Sequence, residues 1–193
     1  MTREERIREI EKEIRSCRKC SLFRTRNNPV VGEGNLKAKI VFIGEAPGFN
    51  EDREGKPFCG AAGKILNELL ESIDLKREEV YITNLLKCRP PQNRDPLPEE
   101  IKVCSSYLLR QLEIISPKVI CPLGRYSMKF VFDKYGLSDR LEPISKIHGK
   151  IFEIKSLFGD LSVIPLYHPA VATYHPTMKE VLRSDFEVLK RFL

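Results

Sequence analysis

The sequence predicts an α/β protein built on an open parallel sheet with helices on both faces. Three observations predict it. Short apolar runs of strand length recur along the chain, and each is followed by a longer run with helical periodicity. That order supplies the helical crossovers that parallel strands require. The chain has 193 residues, 41% hydrophobic and 31% charged, which suits one domain over residues 1–193 with a full core. No linker, repeat or low-complexity tract divides it.

The elements follow in order. Residues 2–16 read as a helix: Thr2 and Glu5 form a capping-box pattern, and Ile7, Ile10 and Ile14 share a face. Cys17-Arg-Lys-Cys20 ends it. AKIVFIG (38–44) is a buried strand that runs into GEAPGFNEDREGKPFCGAAG (44–63). That loop holds five glycines, two prolines and four acidic residues. AAGKILNELLESI (61–73) is an amphipathic helix with Ile65, Leu66, Leu69, Leu70 and Ile73 inward. EVYITNLLKC (79–88) begins as a second strand. Residues 98–115 form a helix with Pro98 at its start, where a missing N–H costs nothing. KVICPLG (118–124) is a third strand, with a helix over 124–134. KIFEI (150–154) reads as a small extra strand, SVIPLYHP (162–169) as the last main strand, and 177–192 as the last helix.

Composition narrows the function. No apolar run reaches the roughly 18–20 residues of a membrane span. The charged start MTREERIREIEKEIR lacks the apolar centre of a signal peptide, so a cytoplasmic location is expected. A net charge of +6 tilts the expected partner toward a polyanion. High charge content and 13 prolines suit a thermophile.

Six cysteines in such a chain point to metal or cluster ligation before disulfides. Cys17 and Cys20 form a C-x2-C pair, while Cys88 and Cys104 lie at element junctions. Four thiolates suit zinc or an iron–sulfur cluster, and spacing alone does not decide between these and plain core cysteines. Cys59 and Cys121 read as core packing.

In open parallel sheets ligands bind at the carboxyl ends of the strands. Three such ends here carry distinctive residues: Gly44–Gly48, Asn84 and His168-Pro169. The glycines of GEAPG let backbone N–H groups approach a ligand, or simply make a tight turn. Asn84 offers one acceptor and two donors, the pattern of a pyrimidine edge, or else forms a turn. Phe58 is a candidate stacking ring, and His168 either a structural or a chemical imidazole. His148 and His175 read as structural.

Taken together these motifs resemble a known family. GEAPG with Glu51-Asp52, PFCGAAG (57–63), VYITN (80–84), HPAV (168–171) and the four cysteines resemble the iron–sulfur uracil-DNA glycosylases. The likeness is narrowest to the family 4 enzymes of thermophilic bacteria and archaea, and runs from Cys17 to the last helix. It implies a three-layer α/β/α sandwich around a four-stranded parallel sheet. It implies a [4Fe–4S] cluster on Cys17, Cys20, Cys88 and Cys104, structural in role, with Arg18, Lys19, Arg89 and Arg94 placed to grip phosphates. It implies monofunctional hydrolysis of the N-glycosidic bond of deoxyuridine in DNA, the first step in repairing deaminated cytosine.

The resemblance also implies site roles. Phe58 stacks on the flipped uracil, Asn84 pairs with its edge, and the backbone of Glu45, Ala46 and Pro47 lines the pocket. His168 stabilises charge on O2. The best-known relatives carry aspartate at the position of Ala46, so water activation passes to Glu45 or Glu51. Solvation alone is the plain alternative for Glu51 and Asp52. Residues 85–103 hold no histidine, so the covalent trap of some relatives is not expected. Small residues fill HPAVATYHP, leaving Val171 or Tyr174 to occupy the hole left by the base. FEVLKRFL (186–193) loosely resembles a sliding-clamp peptide, against the plainer reading of a packed amphipathic helix. A monomer is expected. The rival readings are a noncatalytic nucleic-acid-binding module and an electron carrier.

Overall fold

The structure is a computed structural model describing residues 1–155 and 159–193. Its sheet has six strands: β1 (Glu33–Gly34), β2 (Ile40–Gly44), β3 (Tyr81–Asn84), β4 (Val119–Pro122), β5 (Phe152–Ile154) and β6 (Leu161–Val163). They lie in the order β1-β3-β2-β4-β6-β5. The middle four run parallel, as expected. The expectation is extended at both edges, where β1 and β5 add antiparallel strands. Every residue of β2, β3 and β4 is buried, the burial of strands covered on both faces.

Helices α1 (Arg3–Ser16), α2 (Phe49–Glu54), α3 (Ala61–Glu71), α4 (Pro98–Ile115), α5 (Arg125–Lys134), α6 (Ile144–Ile147), α7 (Val171–Tyr174) and α8 (Met178–Glu187) complete the chain. Alternation along β2 sorts its side chains. Ile40 and Phe42 face α3 and α8, in a core with Leu66, Leu69, Leu182 and Phe186. Val41 and Ile43 face α4 and α5, with Leu108, Leu112, Val131 and Phe132. The Phe42 and Phe186 rings stack at 5.6 Å. Phe186 and Leu189 are therefore core residues, leaving Leu193 of that segment half exposed.

Helix α1 opens with the expected capping box, the Glu5 N–H donating to Thr2 Oγ1 and the Thr2 N–H to Glu5 Oε2. It packs on α4 through Ile10, Ile14, Tyr107 and Ile114. Beyond β6 the chain keeps pairing with β4: the N–H groups of Ile164 and Leu166 donate to Ile120 and Pro122. Pro165 has no N–H and breaks the regular ladder, so the strand expected to run to 169 is formally shorter. No helix among the described residues is long and apolar enough to cross a membrane.

Candidate nucleobase pocket and cysteine site

The three strand ends do converge. Gly44 and Asn84 are direct partners in the parallel register of β2 and β3. The ladder continues past them, with the Leu85 and Leu86 N–H groups donating to the carbonyls of Gly44 and Glu45. Together with the 168–174 segment they frame an open cavity of about 690 Å³. Its walls include Glu45, Ala46, Pro47, Glu51, Phe58, Asn84, His168 and Tyr174, so every anticipated pocket residue lies on one cavity.

Close approach explains the first glycine. A Cβ on Gly44 would lie 2.2 Å from Asn84 Oδ1 and 2.8 Å from the Phe58 ring. Only glycine leaves both side chains in place. Phe58 itself adopts φ +48°, a left-handed conformation that a bulky residue holds only when its surroundings enforce it. The enforcement is visible. Glu51 Oε1 accepts the N–H groups of Cys59 (3.0 Å) and Gly60 (2.9 Å). Arg77 donates to the Pro57 carbonyl at 2.7 Å while pairing with Glu33.

Asn84 is only 2% exposed, and its side-chain amide makes no hydrogen bond with the protein among the described residues. Buried amides are normally satisfied. This one is left facing a cavity.

His168 stacks beside Phe58, ring centroids 5.4 Å apart. Burial pushes its pKa down to about 4, with the Glu51 carboxylate pulling weakly the other way. The imidazole is therefore neutral near pH 7. The Ala170 N–H donates to Nδ1 at 3.2 Å, which makes Nδ1 the acceptor and puts the ring proton on Nε2. The site thus holds a neutral hydrogen-bond donor.

The carboxylates divide. Glu51 is committed to the Phe58 loop. Asp52 is buried rather than solvated, accepting from the backbone and side chain of Asn27 and so anchoring the segment after the C-x2-C pair. Asp95 accepts from Arg125 and Tyr126 at 2.7 and 2.8 Å. Glu45 has no side-chain hydrogen bond among the described residues, and burial, aided by nearby Asp95, raises its pKa.

Behind the pocket lies a residue the sequence reading did not weigh. Lys87 is fully buried, its Nζ donating to Thr83 Oγ1 (2.6 Å), the Asn84 carbonyl (2.9 Å) and Gln111 Oε1 (2.7 Å), and burial pushes its pKa down to about 7. Gln111 in turn donates to the Val31 carbonyl and Tyr81. The clue was a lysine inside the apolar run NLLKC, where a buried amine is tolerated only when acceptors satisfy it.

The four anticipated cysteines line one small cavity, with Arg26, Lys87 and Tyr107 around it. Their donor chemistry fits a thiolate-bound group. All are free thiols. Arg26 Nη1 donates to Cys88 Sγ at 3.0 Å, and the Lys87 N–H to Cys104 Sγ at 3.2 Å. Among the described residues no set of ligands converges tightly enough for a single ion. Four thiols around a common cavity offer the donor set of a thiolate-bound metal or cluster. Cys121 is buried as expected, whereas Cys59 is exposed, a correction that follows from its place beside the capped loop.

Of the cations expected at phosphates, Arg94 is committed to a bidentate pair with buried Glu100. Arg18 and Lys19 lie over the Phe23 and Tyr107 rings. His148 is structural, bonded to Asp185 at 2.8 Å.

Residues 31–190 match the family model described as the uracil DNA glycosylase superfamily. The chain belongs to that superfamily. Curated relatives narrow the placement to its type 4 branch. The chain is 52% identical over 183 residues to the type-4 uracil-DNA glycosylase of Archaeoglobus fulgidus, covering 95% of this chain and 91% of that one. It is 51% identical to the Saccharolobus solfataricus enzyme of the same name, covering 95% and 85%. The Thermotoga maritima type-4 enzyme is 41% identical over 194 residues, covering 100% and 97%. The glycosylase likeness thus takes in the cysteine-bearing N-terminus as well as the pocket.

Proposed function

We propose that the protein is a monofunctional type-4 uracil-DNA glycosylase, hydrolysing deoxyuridine in DNA to free uracil and an abasic site. The observation that carries this reading is the amide of Asn84, unpartnered among the described residues of the protein and open to a cavity walled by Phe58 and His168.

The target nucleotide leaves the stack and enters the pocket. Phe58 stacks on the base, and the backbone of Glu45, Ala46 and Pro47 bounds it. Asn84 accepts from uracil N3–H and donates to O4. Cytosine presents the opposite pattern and would leave a buried amide mispaired, a strong source of rejection. The N1–C1′ bond breaks with its electron pair moving onto uracil. The neutral Nε2–H of His168 stabilises the charge that builds on O2. The sugar becomes oxocarbenium-like, and a water oxygen then bonds to C1′ while the proton it loses passes to the departing uracil anion, giving neutral uracil. Glu45 is the pocket carboxylate without a protein partner, so it orients that water and opposes the cationic sugar. Glu51 acts one step removed, by holding the loop that carries Phe58. Tyr174, 80% exposed on the rim, is better placed than core-packed Val171 to fill the gap in the DNA.

Cys17, Cys20, Cys88 and Cys104 would hold the [4Fe–4S] cluster. When bound, the cluster would tie the end of α1 to the 88–104 segment rather than take part in bond cleavage.

The test is a single-stranded oligonucleotide carrying one uracil, with thymine and cytosine controls. Strand cleavage at uracil alone, and only after alkali, is expected. No release from protein with an intact cluster would refute the reading.

A further inference from the structure

Two of the described phenylalanines and tyrosines are exposed. Tyr174 on the pocket rim is one. The other is Phe49, 56% exposed. It opens α2 directly after Gly48, a pocket residue. Two guanidiniums flank its ring: Arg89 lies 5.2 Å and Arg53 6.0 Å from the centroid. Arg89 also borders the pocket, being followed by pocket residue Pro90.

Arg89 is held in position. Its Nε donates to Asn93 Oδ1 at 2.7 Å. Asn93 and its neighbour Gln92 both take φ +55°, left-handed conformations that cost energy in residues other than glycine. A strained turn thus fixes a cation over a solvent-facing ring. The rest of the Arg89 guanidinium makes no hydrogen bond to the protein among the described residues.

An exposed ring clasped by arginines is costly to leave in water and poor as a protein hot spot, which favours enclosed rings. It matches what a flexible nucleic-acid strand offers: a base face to stack on the ring and phosphates for the guanidiniums. Resting on the glycosylase reading, we infer that Phe49, Arg53 and Arg89 form a second nucleobase site, which stacks the unpaired base next to the flipped uracil. In a duplex that neighbour stays stacked in its own helix, so the platform serves single-stranded substrate.

The test pairs binding with turnover. Binding uses oligonucleotides with 2-aminopurine on either side of a 2′-fluoro-deoxyuridine, whose electron-poor sugar resists cleavage. Wild-type protein should quench the probe on one side of the uracil. Phe49→Ala should abolish that quench and raise KM for single-stranded DNA about tenfold, with kcat kept and little change on duplex. Phe49→Trp should restore both. Arg53→Ala and Arg89→Ala should each lower the salt slope of binding by about one. Equal losses on single-stranded and duplex DNA, or a Phe49→Ala enzyme with wild-type quench and KM, would overturn the inference. A wild type that quenches through Phe49 but releases no uracil would leave the platform standing and refute the glycosylase reading instead.

Discussion

Removing the imidazole of His168 isolates how burial sets its charge. Consider His168→Phe, which keeps a ring against Phe58. In the wild type burial lowers the pKa from 6.5 to about 4. A histidine with a depressed pKa adds stability above its unfolded pKa, and that stability is lost as pH falls toward the folded pKa. The unfolded chain binds the proton first. Between pH 7 and pH 5 the shift costs the wild type roughly 2 kcal/mol, and by pH 4 about 3 kcal/mol. The variant lacks this slope, whereas contributions from His148 and the carboxylates are common to both proteins. Urea unfolding of the two proteins at several pH values between 7 and 5 measures the difference directly. The stability gap should move by roughly 2 kcal/mol in favour of the variant on acidification. A gap that stays flat would mean that His168 is not held neutral by burial. The assignment of Nε2–H as the donor to uracil O2 would then fall with it.

Gly44→Ala should cut uracil release by at least about a hundredfold while leaving DNA affinity near wild type, and should lower stability by about 1–3 kcal/mol, because the added carbon displaces the buried Asn84 amide and Phe58 ring; steady-state kinetics beside filter binding and urea unfolding checks this. The acid limb of kcat/KM should lie above the ordinary glutamate range, since burial raises the Glu45 pKa and the ionised form is the active one; activity is lost as pH falls through that value, and Glu45→Gln should remove the limb along with most of the rate. Cys104→Ser should lower both the iron content and the visible absorbance and unfasten the 88–104 segment, read by limited proteolysis between Arg89 and Lys102. Glu51→Ala should destabilise by about 1–3 kcal/mol, since two backbone N–H groups lose a charged acceptor, and the loss should appear as weaker uracil binding by the free base.

The core of the fold was legible because each part has a local signature. Ile40–Gly44 and Val119–Pro122 read as continuous apolar runs, the pattern of strands buried on both faces. Thr2 with Glu5 marked the first helix to within a residue. The pocket was legible for a different reason: parallel strands bring their carboxyl ends together, so Gly44, Asn84 and His168 had to meet. What stayed hidden depends on partners far along the chain. Asp52 looked like loop solvation until its donor Asn27, 25 residues earlier, was in view. Arg77 reaches Glu33 across 44 residues and the Pro57 carbonyl across 20. β1 has only two residues, too short for any periodicity, and exists because β3 offers it an edge.

The acidic loop of a basic protein can now be understood through its division of labour. Glu51 and Asp52 are adjacent, yet they hold opposite things. Glu51 fastens the arm that carries Phe58, and Asp52 fastens the segment leading from the C-x2-C pair. Lys87 completes the frame from behind, its Nζ on the Asn84 carbonyl and its N–H on Cys104. The Phe58 ring, the Asn84 strand end and the cysteine site are thus joined through hydrogen bonds of Glu51, Asp52 and Lys87. With Glu54 accepting from Arg53, three of the loop's four carboxylates are already spent on hydrogen bonds, which leaves Glu45 as the one proposed to face the sugar. On the proposed reading, the same frame would couple a group held by the cysteines to the pocket. Loosening Cys104 frees the Lys87 backbone, and Lys87 holds the strand end that carries Asn84, the residue proposed to meet uracil.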